Sequence, residues 1–529
     1  MSDNRNDLSN LAGRGLSRRR FLSLSAFAGG SLAVSSFALA GCADDGSDAT
    51  GGLAEVITGA QLGDFTTFDP FFVLAFDRLQ HFQIYDPLVR LAQEKGGYAP
   101  CLAASWEFAK DGLWLTLVLR EDVKFHSGAP MAAADVVANI ERARDTKIGH
   151  TLAGAAAVIK SVSAVDAKTV RIEYNKAVPE GAALDLMASL FVIEPSAMAN
   201  VKTNPSGTGP YKFVSFKPGE QLTLEANPNY WQAGLPKTKK IVIKTFSDAS
   251  SMVLNLKGKQ IDWVLGLDYN QVDALTREKF TVRQETSLGG YWTMLLNVKR
   301  PQFADKRVRQ ALSFALDREK VVKSVLANQS TATSTPFYST SLSIFKEGDL
   351  NRYAFNLDRA KSLLDSAGAT NLKFEAMWLS SLPQAGPILE ILQADLTKIG
   401  VTMEIKTYPA AQGQELYSKG NFDCFLSALA VPARDPNYVY TLPPMLPTDA
   451  NRLGYVDPRY QQLATSAAAE LDPQKRLGMY GELRDIIVDE QFVVPIAARP
   501  VLYAFQPQVT GFQSAVGDLA ILSEMTKTN

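Results

Sequence analysis

The segment 373–429 constrains the fold most, because strand-like and helical patterns alternate along it. Apolar residues recur every three or four positions from Ile388 to Ile399, which is the spacing of one helix face, and Gly400 follows as a stop signal. The pattern predicts three strands and two helices, in the order Lys373–Leu379, a helix opened by Pro387, Val401–Lys406, a short helix near 412–419, and Phe422–Leu429. Such a series indicates a right-handed parallel sheet and an α/β fold.

The loops that follow these strands are candidate ligand-binding positions. In parallel sheets, ligands bind in the crevice beyond the carboxyl ends of the strands, because loops and helix N-termini converge there. Trp378 ends the first strand, and Arg434 and Asp435 follow the third. We expect these three side chains to share one edge of the sheet and to contact ligand. The alternative is that Trp378 fills the core and that Arg434 and Asp435 form a solvated turn pair.

Aromatic residues in turn-like contexts are further candidates. They belong to the 9% of the chain that is aromatic, and rigid aromatic walls with a few polar anchors suit a small-molecule pocket. Taken singly, each of them is also a candidate for the core. The full set of predicted ligand-binding residues is Phe68, Tyr291, Trp292, Trp378, Arg434, Asp435 and Tyr438.

Two strand-like segments flank the central region of the chain. One is Tyr291–Asn297, before it, and the other is 492–497, after it. Two crossings between lobes are the minimal arrangement for a hinge that opens and closes a cleft. The sequence therefore predicts two lobes that close on a ligand.

The first 41 residues differ from the rest in charge and hydropathy. They contain five arginines and two aspartates, so they contribute +3 to a net charge of −1 and leave about −4 for the remainder. Ser17–Leu22 resembles a twin-arginine export signal, an apolar stretch reaches Ala40, and Leu39–Cys42 resembles a bacterial lipobox. We expect 1–41 to be an export signal, Cys42 to be lipidated and 42–53 to be a flexible tether. An uncleaved membrane anchor and export by the general secretory route stay open as alternatives.

No motif in the sequence points to catalysis, a metal or a cofactor. The histidines are His81, His126 and His150, and none has a neighbouring ligand at metal-site spacing. Nucleophile elbows, phosphate-binding loops and dinucleotide fingerprints do not occur. Cys101 and Cys424 are expected to be free buried thiols, with a disulfide between them as the alternative. The expected protein is not an enzyme, holds no cofactor, and at a net charge of −1 has no nucleic-acid partner.

A series of motifs runs through most of the chain. They lie at Ala104–Glu107, Asp111–Leu113, Leu119–Pro130, Asp135–Val137, Gly207–Tyr211, Asn227–Trp231, and Phe303–Ala311 with Asp317-Arg318. In this order they resemble the signature of family 5 extracellular solute-binding proteins, the dipeptide-, oligopeptide- and nickel-type receptors of ABC importers. Much of that signature is architectural, because its turns and glycines fix strand connections. It therefore identifies a family and leaves the ligand undecided.

The resemblance implies a two-lobed clamp of the periplasmic-binding-protein type, with mixed sheets and a two-crossing hinge. Lobe I is expected at 54–297, with an inserted subdomain at about 96–204, and is completed by 491–529; lobe II is expected at 298–490. The implied protein is a monomer, lipid-anchored outside the cytoplasm at the periplasmic face or the cell surface. It captures a small polar solute and delivers it to an ABC permease.

The sequence departs from the peptide receptors of this family at one position. Those receptors hold the peptide's amino terminus with an aspartate three residues before an acidic-Pro pair. Here the pair is Asp435-Pro436 and the matching position is Pro432, which leaves Asp435 as the candidate substitute. Peptide or peptide-like solutes are favoured, with sugars, opines and other polar solutes open. A sensory or chaperone-like relative and an exported enzyme with a cleft between lobes are the alternative functions.

Overall fold

The computed structural model describes residues 55–72, 78–92, 97–285, 290–336, 346–429, 435–437, 440, 451–515 and 519–528. Its first large element is a mixed seven-stranded sheet with the order β12-β18-β11-β1-β10-β9-β8. The strands are β1 Val56–Leu62, β8 Tyr211–Lys217, β9 Gln221–Ala226, β10 Lys240–Phe246, β11 Trp263–Leu265, β12 Thr281–Glu285 and β18 Val501–Phe505. β1 runs parallel to β10 and β11, and the other pairs are antiparallel.

An antiparallel four-stranded sheet lies within the expected inserted subdomain. Its order is β4-β5-β7-β6, with strands β4 Ala103–Phe108, β5 Trp114–Leu119, β6 Ile159–Ala164 and β7 Thr169–Tyr174. Alternate residues of β5 and β7 are buried, as expected for a sheet with one face on the core. Beside it are the pair β2 Val89–Leu91 and β3 Tyr98–Pro100 and the helices α1 Arg78–Ile84, α2 Ala133–Arg144, α3 Ala153–Ala156 and α4 Glu180–Ser189.

A five-stranded sheet forms lobe II and contains the predicted parallel series. Its order is β15-β14-β16-β13-β17, with strands β13 Tyr291–Leu296, β14 Lys373–Leu379, β15 Thr402–Tyr408, β16 Cys424–Leu429 and β17 Val493–Ala498. β14 is parallel to both β15 and β16, which confirms the predicted parallel series. The connecting helices are α10 Ala385–Lys398 and α11 Ala410–Ser418. α10 begins two residues before Pro387. Proline is tolerated in the first turn of a helix because the N–H that it lacks would have no helical partner there.

The remaining helices and short strands pack around these sheets. A helix begins directly after Asp305, whose side chain caps it by accepting a hydrogen bond from the Arg307 amide. The helices are α5 Ala249–Lys257, α6 Val272–Arg277, α7 Lys306–Ala315, α8 Arg318–Ser324, α9 Leu357–Ser366, α12 Pro458–Ala469 and α13 Pro473–Glu490. Short strands near the C-terminus are β19 Val509–Thr510, β20 Gln513–Ala515, β21 Leu519–Ile521 and β22 Thr526–Lys527.

The two strands expected as lobe crossings belong to the sheet of lobe II. β13 pairs with β16 on one side and with β17 on the other. The expected bounds 54–297 and 491–529 assigned both strands to lobe I, and those lobe bounds stay a prediction. The chain leaves the seven-stranded sheet after β12 and returns to it at β18, directly after Arg499-Pro500. Every residue of β13 and β17 is buried, and a continuous buried run does not indicate which sheet a strand will join.

Three hydrophobic clusters support the lobes. The first packs the seven- and four-stranded sheets together, and the third lies between the five-stranded sheet and α11, α12 and α13. The second cluster contains residues of both lobes, among them Leu267, Tyr269 and Leu502 from lobe I and Trp292 and Met294 from lobe II. The hydrophobic core is therefore continuous across the hinge.

Candidate ligand-binding site between the lobes

Three of the predicted aromatic residues lie in packed cores. Phe68 is 3% exposed, and its ring centroid lies 5.1 Å from that of Phe213 and 5.3 Å from that of Phe216. Tyr291 is fully buried in the third cluster, and Trp292 is 1% exposed in the second. The geometry supports the packing alternative for these residues.

Trp378 lies where the sheet-edge argument put it. It is the penultimate residue of β14, it is half-buried, and its ring packs on the first turn of α10. A Cβ atom added at Gly386 would lie 3.0 Å from Cζ2 of Trp378, so a glycine at this position allows the close approach. The ring is therefore fixed by α10 and keeps an exposed part for contact with another molecule.

Asp435 is occupied by an ion pair inside lobe II. It is 4% exposed, and its carboxylate receives a bidentate pair of hydrogen bonds from Arg476, with 2.6 Å between Nη2 and Oδ1. Arg476 also donates to Tyr480 and to the Ala467 carbonyl. Burial opposes the charge of Arg476, but the hydrogen bonds and charge of Asp435 hold the pKa of Arg476 above its ordinary value. Asp435 is thus neutralised within the protein, which removes the support for its binding a ligand ammonium group.

The loop that contains Asp435 also contacts lobe I. The backbone amide of Asp435 donates to Oδ2 of Asp185 on α4 over 2.7 Å. α4 packs in the first cluster, which belongs to lobe I. Oδ1 of Asp185 accepts from the Tyr98 hydroxyl over 2.8 Å. A Cβ atom added at Gly181 would lie 2.6 Å from Oδ2 of Asp435. Glycine at position 181 therefore permits the two lobes to meet here.

A second contact between the lobes lies beside Trp378. Gln384, at the start of α10, donates to Oδ1 of Asp268 in lobe I over 3.3 Å. Burial raises the pKa of Asp268, so its charged form is held here at a free-energy cost that an exposed aspartate does not carry. The neighbouring Tyr269 hydroxyl donates to the Pro500 carbonyl over 3.2 Å, which ties lobe I to the second crossing.

The other predicted functional residues lie outside the described residues. They are Arg434, Tyr438 and the lipidation candidate Cys42, which stay predictions.

Residues of the sequence motifs converge on one buried carboxylate, that of Asp86. Asp86 is 1% exposed and accepts hydrogen bonds from Arg90, Thr208, Tyr230 and Trp231, at 2.7, 3.2, 3.2 and 3.0 Å. Two motifs, at 207–211 and at 227–231, are thereby joined within lobe I. The motif residues Thr208, Tyr230 and Trp231 therefore stabilise lobe I.

The histidines and described cysteines have structural surroundings. Each histidine uses Nε2 to contact a backbone carbonyl oxygen: His81 to Thr67, His126 to Gly209, and His150 to Arg142. Burial lowers the pKa of His126 to about 4. Cys101 and Cys424 are both free and buried, and burial raises the pKa of the Cys101 thiol to about 12. Cys101 is therefore a neutral thiol at pH 7, with Sγ 3.8 Å from Oδ1 of Asp86.

A family model for bacterial extracellular solute-binding proteins, family 5 Middle, matches residues 97–443. The chain belongs to this family. Its members are extracytoplasmic substrate-binding proteins of transporters, and the two lobes, the mixed sheets and the double crossing agree with that membership.

Relatives of this family 5 protein bind chemically different ligands. Heme-binding protein A of Haemophilus influenzae is 25% identical over 474 residues, which cover 82% of this chain and 85% of that protein. The glutathione-binding protein GsiB of Salmonella typhimurium is 26% identical over 431 residues, 78% and 82% of the two chains. The structure of NikZ from Campylobacter jejuni in complex with Ni(L-His) has a TM-score of 0.79 at 25% identity, covering 89% of this chain and 99% of that one. Family membership therefore leaves the ligand open.

An acidic groove on the outside of lobe II is a weaker candidate. It has a volume of about 340 Å³ and lies along α12 and α13, lined by Asp457, Arg459, Glu482, Asp485, Ile486, Asp489 and Glu490. Four of the five acids already form ion pairs, for example Glu482 with Arg459 and Asp489 with Lys306. Across the described ranges, no group of three histidine, cysteine or acidic side chains could hold a metal ion. The groove is a solvated charged surface of this family 5 protein.

No described helix is both long and apolar enough to cross a membrane.

Sequence reasoning missed most of the contacts between the lobes. Asp185 of lobe I lies 250 residues from Asp435, and the partner of Asp435 inside lobe II, Arg476, lies 41 residues from it. Local spacing carries no signal for such pairs. The one local hint was Gly181 in the first turn of a helix, where glycine is unfavourable unless a neighbour needs the space.

Gly181→Ala is expected to open the cleft. The new Cβ would meet the Asp435 carboxylate, which Arg476 holds in place, so the hydrogen bond to Asp185 could not form. A bond to a charged group contributes about 1.5–3 kcal/mol, so its loss would shift the closed-to-open ratio by roughly tenfold or more. Small-angle X-ray scattering should show a larger radius of gyration than that of the wild-type protein.

Gly154→Ala is the matched control, because Gly154 is also in a helix but has no atom within 4 Å of an added Cβ. Both changes raise helix propensity by about 1 kcal/mol, so a larger radius of gyration in Gly181→Ala alone would come from the lost contact between the lobes. Equal radii of gyration for Gly181→Ala and the wild type would contradict the contact between the lobes.

Proposed function

We propose that this protein is the solute-binding component of an ABC importer and that it holds a small polar solute between its two lobes without altering it. The observation that carries the proposal is the meeting of α4 with the loop after β16, beside the strand ends of lobe II. In α/β sheets this edge is where ligands bind, and here a second lobe covers it. Closure would then create the surface that the permease recognises.

The ligand class is argued from the charges at this edge. Asp435 is paired with Arg476, so the ammonium-binding role suggested by the peptide receptors has no support at this residue. The named relatives bind heme, glutathione and Ni(L-His), which all bear carboxylate groups. We favour a peptide-like solute, the class to which the glutathione bound by one relative belongs. Groups other than Asp435 would recognise it.

The export and anchoring steps rest on the sequence. The twin-arginine-like segment at 17–22 and the lipobox at 39–42 support export and lipidation of Cys42, followed by the tether at 42–53. A lipid-anchored monomer would stay beside its permease and remain free to reorient. Incorporation of labelled palmitate into the wild type, and its loss in Cys42→Ala, would support this arrangement.

The decisive experiment is native mass spectrometry of the exported protein purified without denaturation. A bound solute should appear as an added mass that is released unchanged when the protein is unfolded. Adding that solute back at 100 times its dissociation constant should stabilise the protein by about 2.7 kcal/mol. Conversion of the solute into a product would instead support an exported enzyme.

Trp378→Ala is expected to weaken binding of the recovered solute by about tenfold, because an aromatic contact contributes roughly 0.5–1.5 kcal/mol beyond its buried area. The measurement is isothermal titration calorimetry. Trp114→Ala is the matched control, since Trp114 is also half-buried but lies in the four-stranded sheet under Arg171. Equal affinities of the two variants would remove Trp378 from the site.

A further inference from the structure

Arg499 occupies the second crossing between the lobes. It is the first residue after β17, whose carboxyl end lies at the same edge of the five-stranded sheet as that of β16. Trp378, near the carboxyl end of β14, lies at the same edge, and Asp435 comes after the carboxyl end of β16. Arg499 is thus placed where a solute between the lobes would contact the hinge.

The backbone around Arg499 is fixed on both sides. Its amide donates to the Gly290 carbonyl over 2.8 Å, at the first crossing. The preceding Ala498 carbonyl accepts from Ser330 over 2.6 Å, and the following Pro500 carbonyl accepts from Tyr269 over 3.2 Å. The backbone that carries the Arg499 side chain is therefore held in place, which reduces the entropy lost on binding.

Among the described residues, the guanidinium group of Arg499 has no counter-charge. It is half-buried, and in the ranges that the structure describes it forms neither an ion pair nor a side-chain hydrogen bond. It lies over the ring of Trp292, whose centroid is 5.7 Å from Cζ of Arg499. By contrast, the buried arginines Arg309, Arg318 and Arg476 all donate several hydrogen bonds.

A second donor without a partner lies beside this group. Nε1 of Trp292 is buried and has no hydrogen-bond acceptor among the described residues. Buried donors are almost always paired, so each exception calls for an explanation. The hinge is thus poor in acceptors, and of its two donors the half-buried guanidinium of Arg499 is the one that an oxygen-bearing ligand group can reach.

Resting on the proposed solute-binding function, we propose that Arg499 binds a carboxylate group of the solute at the hinge. The planar guanidinium matches a carboxylate with two parallel hydrogen bonds. Since Arg476 neutralises Asp435, the solute is anchored through its negative end, whereas peptide receptors of this family hold a peptide by its amino terminus. The solute class is therefore a small organic acid or a peptide-like molecule with a free carboxylate.

The test uses paired probes that differ only in this group. Glutathione, di-L-alanine and tri-L-alanine are compared with their C-terminal amides, together with maltose and inorganic phosphate, by thermal shift and then calorimetry. The tightest carboxylate is expected to bind at least about 30-fold better than its amide. Arg499→Gln should abolish that difference in affinity. Arg499→Lys, which keeps the charge but not the two parallel donors of the guanidinium, should retain part of it.

Arg459→Gln serves as the control, because Arg459 is an exposed arginine on the outer groove. It should bind every probe as the wild type does. Equal binding of acid and amide, an unchanged preference in Arg499→Gln, or stabilisation by phosphate or maltose alone would overturn the role of Arg499 and leave solute binding intact. Absence of any shift with all probes and with the solute recovered from native protein would instead contradict the proposed function.

Discussion

Arg476→Ala is expected to lower the free energy of unfolding of lobe II by about 3–5 kcal/mol, because it leaves the buried Asp435 carboxylate without its partner. Asp435 is 4% exposed, and the Arg476 side chain 10%. The same guanidinium also donates to Tyr480 and to the Ala467 carbonyl, so further acceptors lose their donor. Urea denaturation followed by tryptophan fluorescence measures the change.

Arg459→Ala is the matched control on the same lobe. The Arg459–Glu482 pair is 72% and 55% exposed, and such surface pairs contribute about 0–1 kcal/mol. Replacing both Asp435 and Arg476 by leucine should destabilise less than Arg476→Ala alone, since no unpaired charge remains. If Arg476→Ala matched the control, the ion pair would not hold this loop, and Asp435 would again be a candidate for binding a ligand.

The position of Asp435 could be predicted, but its environment could not. Three strands separated by two helices place the residues after β16 at the carboxyl edge of a parallel sheet, and periodicity within a few residues is enough to show this. The partner that neutralises Asp435 lies on α13, in a helix whose place depends on packing of the whole lobe. No spacing rule connects residues 41 positions apart.

The burial of Tyr291 and Trp292 could not be predicted for a related reason. Tyr291 and Trp292 are adjacent on β13, so they point to opposite faces, and the sheet is covered on both. An aromatic residue next to glycines can therefore belong to a buried central strand. Trp378 differs because it lies near the end of its strand, where its ring packs on the first turn of α10 and stays partly exposed.

The hinge shows the same limit. Apolar runs at 291–297 and 492–497 predicted two crossings, yet hydrogen bonding places both strands in lobe II. The residue that connects β17 to lobe I, Arg499, had no distinguishing pattern in the sequence. That its guanidinium has no counter-charge within the described part of the chain becomes visible only when the neighbours are known.

Asp86→Ala is expected to lower the free energy of unfolding of lobe I by a similar amount, about 3–5 kcal/mol. The substitution removes the common acceptor of Arg90, Thr208, Tyr230 and Trp231, and leaves buried donors unpaired. Hydrogen exchange should accelerate first in β8 and β9, which flank the two motifs. Asp86→Asn, which keeps one acceptor oxygen and the shape of the side chain, should lower the free energy of unfolding by less.

Glu121→Ala is the matched control in lobe I, because Glu121 pairs with Lys168 at 73% and 49% exposure and should contribute under about 1 kcal/mol. Comparison with Arg476→Ala then tests whether the lobes unfold separately. The second cluster contains residues of both lobes, so each variant should also accelerate exchange in Trp292 and Leu502 at the hinge. Acceleration confined to the mutated lobe would show that the shared core at the hinge does not couple them.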